Sequence, residues 1–398
     1  MDSRIALSCG QTPLNSRVRA SPRLLVLASW GALVTYAPMS GCTEGHPSQS
    51  SSAVWSLELE LELPRDEEGV VQLSDIRGLA VDGASRIYVL DSQEQVVIVF
   101  DSTGFLIRRV GGRGDGPGEF RGANGIVVDL SDRLWVYDPR VDRITVFDST
   151  GDIAETKRFP IRSHGFRWAG GVDTLGRLYD EQIQVVEQTG TVVRHVRRAD
   201  FRTGDIDTLV WPNCGAERPQ AFRYPHGYMQ VPFGAGEYVA FDARGVLWCA
   251  DTREVRVYEY LLGDTVPRRV LVQAGEPAPV STRERDSVID LATSFMQYGG
   301  ATKLDFSLIP SIKPMIESIT MDDSGRVWVR TRTKDELAAL VFSRTGSVIA
   351  KVHLPRESIW WLPPVLRDGR LYTVNLDSLD VPVVARYWIY RPDISPGR

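Results

Sequence analysis

Short apolar runs rich in β-branched and aromatic residues alternate with turn-forming Asp, Ser, Thr and Gly along most of the chain. The unit that begins at Gly78 is repeated at Gly125, 47 residues later, and nearly every position of the two units matches in kind. Runs of this length and composition are typical of β-strands joined in hairpins. A unit of about 45 residues holds four such strands, and one sheet of four strands leaves its apolar faces uncovered. The pattern therefore predicts sheets that stack against one another around an axis.

Weaker copies of the unit begin near Gly171, Val239, Ile319 and Leu366. An aromatic residue recurs at one position in every copy, six residues after the end of the first strand: Tyr88, Trp135, Tyr179, Trp248, Trp328 and Tyr372. We interpret these side chains as packing between neighbouring sheets. Six copies predict an all-β fold, a six-bladed β-propeller of four-stranded antiparallel blades with one inserted helix, over residues 54–391 with a tail at 392–398.

A strand precedes the first copy. Residues 54–63 alternate apolar and polar side chains almost perfectly, as a half-exposed strand does. We expect this strand to pair with the last blade and close the ring, which removes the open edges of an unclosed sheet.

Two steps between copies are long, and they predict insertions at about 203–236 and 275–315. The second insertion contains a predicted helix at 281–297, which starts at a capping box of Ser281 and Glu284. Its apolar stripe comprises Val288, Ile289, Leu291, Ala292, Phe295 and Met296. The helix either covers one mouth of the central channel or patches the side of the ring.

The first 42 residues have the pattern of an export leader. Three arginines between residues 17 and 23 precede an apolar run at 24–37, which is too short to span a bilayer. Cys42 follows Ser-Gly and resembles the lipid-carrying cysteine of bacterial lipoproteins. We expect an exported lipoprotein of the cell envelope, in the periplasm or at the outer membrane, with residues 43–53 as a polar tether. A secreted protein and a retained anchor are the alternatives.

Cysteines and charge limit the class of protein further. Cys214 and Cys249 are the pair that remains in the body, and they either form a disulfide or are two small buried thiols. The formal net charge is -5 and no stripe of Lys and Arg is present, so we expect no nucleic-acid partner. Membrane contact is expected only through the lipid, and the protein is expected to be a monomer.

Residues 111–120, a Gly- and Pro-rich link into the strand at 125–129, resemble an NHL repeat. The chain also resembles bacterial lipoproteins that are six-bladed β-propellers, in which stretches similar to Pro232-Phe233 and to residues 325–329 recur. The resemblance implies the fold. It leaves function open, because related propellers include binding modules, amidating lyases, Ca²⁺-dependent lactonases and strictosidine-synthase-like proteins.

The register of the repeats predicts which residues line the channel mouth. Counting back five residues from the end of each first strand gives Arg77, Asn124, Trp168, Glu237, Glu317 and Trp361. In a ring of six, Arg77 opposes Glu237, Asn124 opposes Glu317, and the two Trp oppose each other. Such a ring is either a pocket for a small polar ligand or a solvated rim.

A metal site is the competing interpretation of the mouth. Asn124, Glu237 and Glu317 offer oxygen ligands for Ca²⁺, which takes six to eight, and His164 and His226 offer two nitrogens for Zn²⁺. No general base and no catalytic motif stands out. The sequence therefore favours a binding or scaffold module for a small polar ligand or an envelope protein, with no cofactor, over a metal-assisted hydrolase or lyase of the lactonase or amidating-lyase type.

Overall fold

The structure is a computed structural model, and its described residues are 52–65, 71–159, 170–186, 191–215, 221–224, 227–299, 303–334, 336–355, 357–359 and 362–392. The chain divides into two units, residues 1–49 and 50–398, and every described residue belongs to the second.

Six four-stranded antiparallel blades are formed by the described residues, and each blade is numbered by its order in the chain. β1 (Ala53–Leu63) precedes blade 1, which contains β2 (Ile76–Val81), β3 (Ile87–Asp91), β4 (Val96–Phe100) and β5 (Leu106–Gly111). Blade 2 contains β6 (Gly125–Val128), β7 (Leu134–Asp138), β8 (Arg143–Phe147) and β9 (Ile153–Arg158). Blade 3 contains β10 (Gly171–Val172), β11 (Arg177–Val186), β12 (Thr191–Asp200) and β13 (Asp205–Val210).

A hairpin of β14 (Ala221–Tyr224) and β15 (Gly227–Gln230) follows blade 3. Blade 4 contains β16 (Glu237–Phe241), β17 (Val246–Asp251), β18 (Val255–Leu261) and β19 (Arg269–Gln273), and helix α1 (Thr282–Gly299) and a 3₁₀ turn (Phe306–Leu308) follow it. Blade 5 contains β20 (Ile316–Met321), β21 (Val327–Arg332), β22 (Leu337–Phe342) and β23 (Val348–Val352). Blade 6 contains β24 (Val365–Arg367), β25 (Arg370–Leu376), β26 (Pro382–Tyr390) and β1. The predicted all-β propeller fold is confirmed.

β1 closes the ring, as its alternating pattern predicts. Residues 56–63 pair antiparallel with β26 as the outermost strand of blade 6, and residues 53–55 pair in parallel with β23 of blade 5. Leu61 and Leu63 are buried, with 4% and 1% of their surface exposed, whereas Leu59 is 49% exposed. The strand that comes first in the body therefore joins its last two blades.

Six clusters of buried apolar side chains lie between neighbouring blades, one for each pair of blades. The repeated aromatic residue of each blade lies in the cluster shared with the next blade; for example, Trp135 of blade 2 packs with Val172 and Leu178 of blade 3. The interpretation of these aromatic residues as packing between blades is confirmed. Burial between sheets, rather than within one central core, stabilises the ring.

An aspartate at the end of the innermost strand binds the first turn of most blades. In blade 2, Asp129 Oδ1 accepts hydrogen bonds from the backbone N–H groups of Ser131 and Arg133, at 2.8 and 3.0 Å. Its Oδ2 accepts from Arg133 Nε and from Trp135 Nε1, both at 2.8 Å. The bond from the aromatic side chain recurs in three further blades, as Tyr88 to Asp82, Tyr179 to Asp173 and Trp328 to Asp322. The repeat is thus held by polar bonds as well as by packing.

Blade 4 departs from this arrangement. Val246 stands where the other four blades have the arginine, and Asp242 pairs instead with Arg244, whose side chain is 54% exposed. The indole N–H of Trp248 makes no hydrogen bond within the described part of the chain, although the ring is buried.

Each outermost strand runs towards the end of the ring at which the next innermost strand begins. We name this the mouth end, where the innermost strands start at Ile76, Gly125, Gly171, Glu237, Ile316 and Val365. The opposite, turn end carries short turns, among them those that contain Asp82, Asp129, Asp173, Asp242 and Asp322.

The insertions are concentrated at the mouth end beside blades 3, 4 and 5. The first is shorter than predicted, because residues 205–210 form the outermost strand of blade 3. The second contains the predicted helix, and Ser281 and Glu284 form the expected capping box, in which Ser281 N donates to Glu284 at 3.0 Å and Glu284 N to Ser281 Oγ at 3.3 Å. Lys313 and Ser281 lower the pKa of Glu284 to about 2 by hydrogen bonding to its carboxylate.

Helix α1 packs on the β14–β15 hairpin of the other insertion. Their shared cluster contains Phe222, Ala292, Leu304 and Ile309, with Val288, Ile289 and Met296 partly buried against it. Leu291 does not belong to the buried stripe, since 52% of its surface is exposed. The helix is therefore part of a cluster formed at the mouth end, and the side chain of Phe295 lies outside the described residues.

A disulfide joins Cys214, at the start of the first insertion, to Cys249 on β17, across 35 residues of sequence. Both cysteines are fully buried. The bond attaches the insertion to blade 4.

Replacing both cysteines by alanine is expected to lower the free energy of unfolding by about 2 to 4 kcal/mol, because the open chain regains loop entropy in the unfolded state. Urea unfolding of the parent and the double variant, each with and without reductant, measures the difference. Reductant should destabilise the parent and leave the double variant unchanged; equal stability of the two oxidised proteins would contradict the expectation.

Candidate functional site

Four of the six residues predicted for the channel mouth are described, and all four lie at or beside the start of an innermost strand: Arg77, Asn124, Glu237 and Glu317. Trp168, Trp361, His164, His226 and Cys42 lie outside the described residues. All four lie at the mouth end. The three charged ones form ion pairs with residues of the same or the adjoining blade, whereas the register alone predicts partners across the channel.

Arg77 and Asn124 differ in exposure. Arg77 occupies a bulge of β2 and its Nε lies 2.9 Å from an Asp75 carboxylate oxygen, with both side chains more than a third exposed. Asn124 is only 7% exposed, and its backbone N–H donates to the carbonyl of Tyr137 at 3.1 Å. Asn124 is therefore part of the interior of blade 2 more than of an open rim.

Glu237 belongs to an ion-pair network between blades 3 and 4, which we name the acidic cluster: Glu181, Arg194, Trp211 and Glu237. Arg194 of β12 lies with Nη1 at 3.1 Å from Glu237 and with Nε at 3.2 Å from Glu181. The guanidinium stands 5.5 Å from the ring centre of Trp211, and the indole N–H of Trp211 donates to Glu237 at 3.0 Å. Two carboxylates thus share one arginine.

Burial and the nearby charge of Glu237 raise the pKa of the Glu181 carboxyl above its ordinary value of 4.5, and Arg194 opposes this change only in part. At pH values above the raised pKa, Glu181 is charged in the folded state. Burial of that charge lowers the free energy of unfolding. That cost decreases as the pH falls through the raised pKa and is gone below the ordinary value of 4.5, where the carboxyl is protonated in both states.

Glu181→Gln is accordingly expected to raise the melting temperature at about pH 8 and to change it little at about pH 4. The control is Glu254→Gln, because Glu254 is half exposed in a surface ion pair with Arg256. Thermal unfolding of the three proteins across this pH range provides the measurement. A loss of stability in Glu181→Gln at the higher pH would mean that the ion pair with Arg194 outweighs the burial of the charge.

Glu317 belongs to a second network in blade 5, which we name the basic cluster: Tyr238, Glu317, Arg330 and Arg332. Arg330 Nε lies 2.8 Å from Glu317 Oε2, and Arg332 Nε donates to Oε1 of the same carboxylate. Burial, and secondly the charge of Glu317, raise the pKa of Tyr238 on the neighbouring blade, so its hydroxyl stays protonated. Here two arginines share one carboxylate.

These networks do not fit the calcium interpretation, and the zinc interpretation stays a prediction because His164 and His226 lie outside the described residues. Calcium needs six to eight oxygen ligands, and the oxygens of Glu237 and Glu317 are directed at guanidinium groups. Within the described ranges, no three His, Cys, Asp or Glu side chains lie close enough together to hold a metal ion. We therefore derive no reaction step through a metal.

Sequence reasoning identified one member of each cluster and missed the others. Arg330 and Glu181 each stand two residues after the repeated aromatic residue, which is a signal that the sequence does contain, because the other four blades have Leu90, Tyr137, Ala250 and Val374 there. Arg194 carries no such signal, because β11 and β12 continue to ten residues each, beyond the length of the repeat.

Residues 65–169 match the protein family described as a six-bladed β-propeller. No curated protein matches the chain in sequence. Among solved structures, the chain resembles a member of the DUF4221 family from Bacteroides vulgatus at 12% identity and a TM-score of 0.51, over 85% of this chain and 99% of that one.

More distant likenesses include two enzymes. One is a gluconolactonase from Xanthomonas campestris, at 14% identity and a TM-score of 0.42, over 80% of this chain and 87% of that one. The other is a virginiamycin B lyase from Staphylococcus aureus, at 10% identity and a TM-score of 0.40, over 85% of this chain and 90% of that one. No activity is transferred from likenesses of this kind.

Proposed function

We propose that this chain is an exported, lipid-anchored binding module of the bacterial cell envelope, which recognises a small polar ligand or an envelope protein through its mouth end. The observation that carries the proposal is the asymmetry of the ring. The extended β11–β12 hairpin, the β14–β15 hairpin and α1 all extend from the mouth end beside blades 3 to 5, while the turn end carries short turns. Propeller rings of similar blades acquire specificity from such additions.

Export is supported by the leader pattern of residues 1–42 and by the disulfide, since disulfides persist mainly in oxidising compartments. None of the helices in the described ranges combines the length and the apolar character that a bilayer crossing requires. Replacing Cys42 by serine tests the anchor: the variant should move from the membrane fraction to the soluble fraction. Unchanged membrane association would contradict lipid attachment at Cys42.

Binding is tested with the purified full-length protein in a thermal-shift screen of polar small molecules, followed by calorimetric titration. Arg332→Gln alters a half-exposed arginine of the mouth end, and Arg244→Gln is the matched control at the turn end. A shift that Arg332→Gln reduces and Arg244→Gln preserves is expected. Stoichiometric bound metal and hydrolysis of a lactone, without such a shift, would instead favour a metal-assisted enzyme.

A further inference from the structure

The indole N–H of Trp248 in blade 4 is buried without an acceptor. Trp248 is 1% exposed, and its Nε1 has no hydrogen-bond partner among the described residues. The face of the ring does have a polar partner, since the guanidinium of Arg269 stands 5.4 Å from the ring centre. A buried donor that lacks an acceptor destabilises the folded state, so an arrangement that supplies an acceptor would be favoured.

The acceptor that the repeat provides is present in blade 4 as well. Asp242 Oδ1 accepts from the backbone N–H groups of Arg244 and Val246 at 2.8 and 3.2 Å, and equivalent bonds hold Asp129 in blade 2. The two carboxylates are thus anchored in the same way, and they differ in the partner of Oδ2. In blade 2 this oxygen accepts from Trp135 Nε1, whereas in blade 4 it accepts from Arg244, whose Nε lies at 2.9 Å.

The sequence of the turn explains the difference. The repeat arginine four residues after the aspartate is replaced by Val246, and an arginine stands two residues after the aspartate instead, at Arg244. Arg244 is 54% exposed while it binds Asp242. Salt screens an exposed ion pair, but it has much less effect on a buried hydrogen bond. Arg244 therefore competes with Trp248 for one oxygen, and salt weakens only the bond to Arg244.

We propose that the first turn of blade 4 is a salt-sensitive switch with two states. In the first, Asp242 Oδ2 binds Arg244 and the indole of Trp248 has no acceptor in the described part of the chain. In the second, rotation of the carboxylate brings Oδ2 to Trp248 Nε1, as in blade 2, and Arg244 is released to solvent. Trp248 packs with Ile316 and Val327 of blade 5, so the second state binds the turn to the interface between the two blades. The ionic strength at the turn end thus sets how firmly blades 4 and 5 are joined.

The test follows the indole N–H resonance of Trp248 by NMR in the isotope-labelled full-length protein, with Trp248→Phe to assign it. Arg244→Ala removes the competitor and reproduces blade 1, where Ala84 stands at this position and Tyr88 binds Asp82. Hydrogen exchange of the indole should slow by about tenfold in this variant, because the donor gains an acceptor. In the parent, salt raised from about 0.01 M to about 1 M shortens the Debye length about tenfold and should move the resonance to its position in the variant.

Arg202→Ala is the matched control, because Arg202 also binds an aspartate two residues earlier, Asp200, in a turn at the same end of blade 3. It should leave the exchange of the Trp248 indole unchanged. The indole resonance of Trp135, which is already bonded to its aspartate, serves as the internal reference and should not respond to salt. Melting curves verify that the variants are folded.

Two results would overturn the switch. One is an indole of Trp248 that exchanges equally fast in the parent and in Arg244→Ala. The other is a parent resonance that stays in place as the salt concentration rises, or that moves equally in Arg244→Ala, since the ion pair with Arg244 would then not control the acceptor.

Discussion

Leu63→Asp is expected to lower the free energy of unfolding by about 4 kcal/mol or more, because it places a charge without a partner in the apolar interface between blades 6 and 1. Leu63 is 1% exposed and packs in the cluster that contains Leu61, Ile98 and Val384. The residue also lies in the strand that closes the ring, so its loss affects both neighbouring blades. Equilibrium unfolding in urea, followed by tryptophan fluorescence, measures the change.

Leu59→Asp is the matched control, since it makes the same replacement in the same strand at a side chain that is 49% exposed. We expect it to cost less than about 1 kcal/mol, as most exposed substitutions do. Similar losses in the two variants would show that the effect arises from strand propensity, and the closing role of the buried leucine would then be wrong.

Asp129→Ala is expected to cost about 4 kcal/mol, because several donors lose their acceptor at once. Two backbone N–H groups, the Arg133 guanidinium and the indole of Trp135 all donate to this carboxylate. Trp135 is 2% exposed, so water cannot replace the lost bond to its indole. Thermal unfolding and the near-ultraviolet circular dichroism of the tryptophans report the loss.

Blade 4 provides the control within the same protein. Asp242→Ala removes the equivalent carboxylate, but Trp248 makes no bond to it and Arg244 is mostly exposed. The expected cost is about 1 to 2 kcal/mol, which corresponds to the two backbone bonds that Arg244 and Val246 donate. If Asp242→Ala were as destabilising as Asp129→Ala, the bond to the aromatic side chain would not be the stabilising element of the repeat.

The architecture could be predicted from the repeat unit, since five of the six copies combine a turn-forming aspartate with an aromatic residue six positions later, and the sixth copy keeps the aromatic residue. Both residues have structural reasons to recur: Asp129 binds the turn, and Trp135 fills the space between two blades. The closing strand could be predicted for a similar reason, because the alternation in residues 54–63 permits only one buried face. Positions that are buried at a regular spacing leave a regular pattern of apolar residues in the sequence.

The contacts at the mouth end were harder to predict from the sequence, because they join different blades and follow no repeated sequence pattern. Counting back from the strand ends located Glu237 and Glu317 correctly on their strands, but it could not reveal that Arg194 and Arg330 already pair with them. Residues 205–210 fell within a predicted insertion because the step between the third and fourth copies is long, whereas they form the outermost strand of blade 3. The local sequence pattern shows which face of a strand is buried, but it does not show which residues pack against that face.

The closing strand also sets the order in which the molecule can be completed. Leu57 pairs with Ile389, so the earliest-synthesised strand of the body waits for nearly the last one. Contacts between such distant positions form late, because closing so long a loop is entropically unfavourable. A nascent or truncated chain leaves the edge of β23 and the apolar faces of Leu61 and Leu63 uncovered. Closure of the ring therefore waits until β26 has been synthesised.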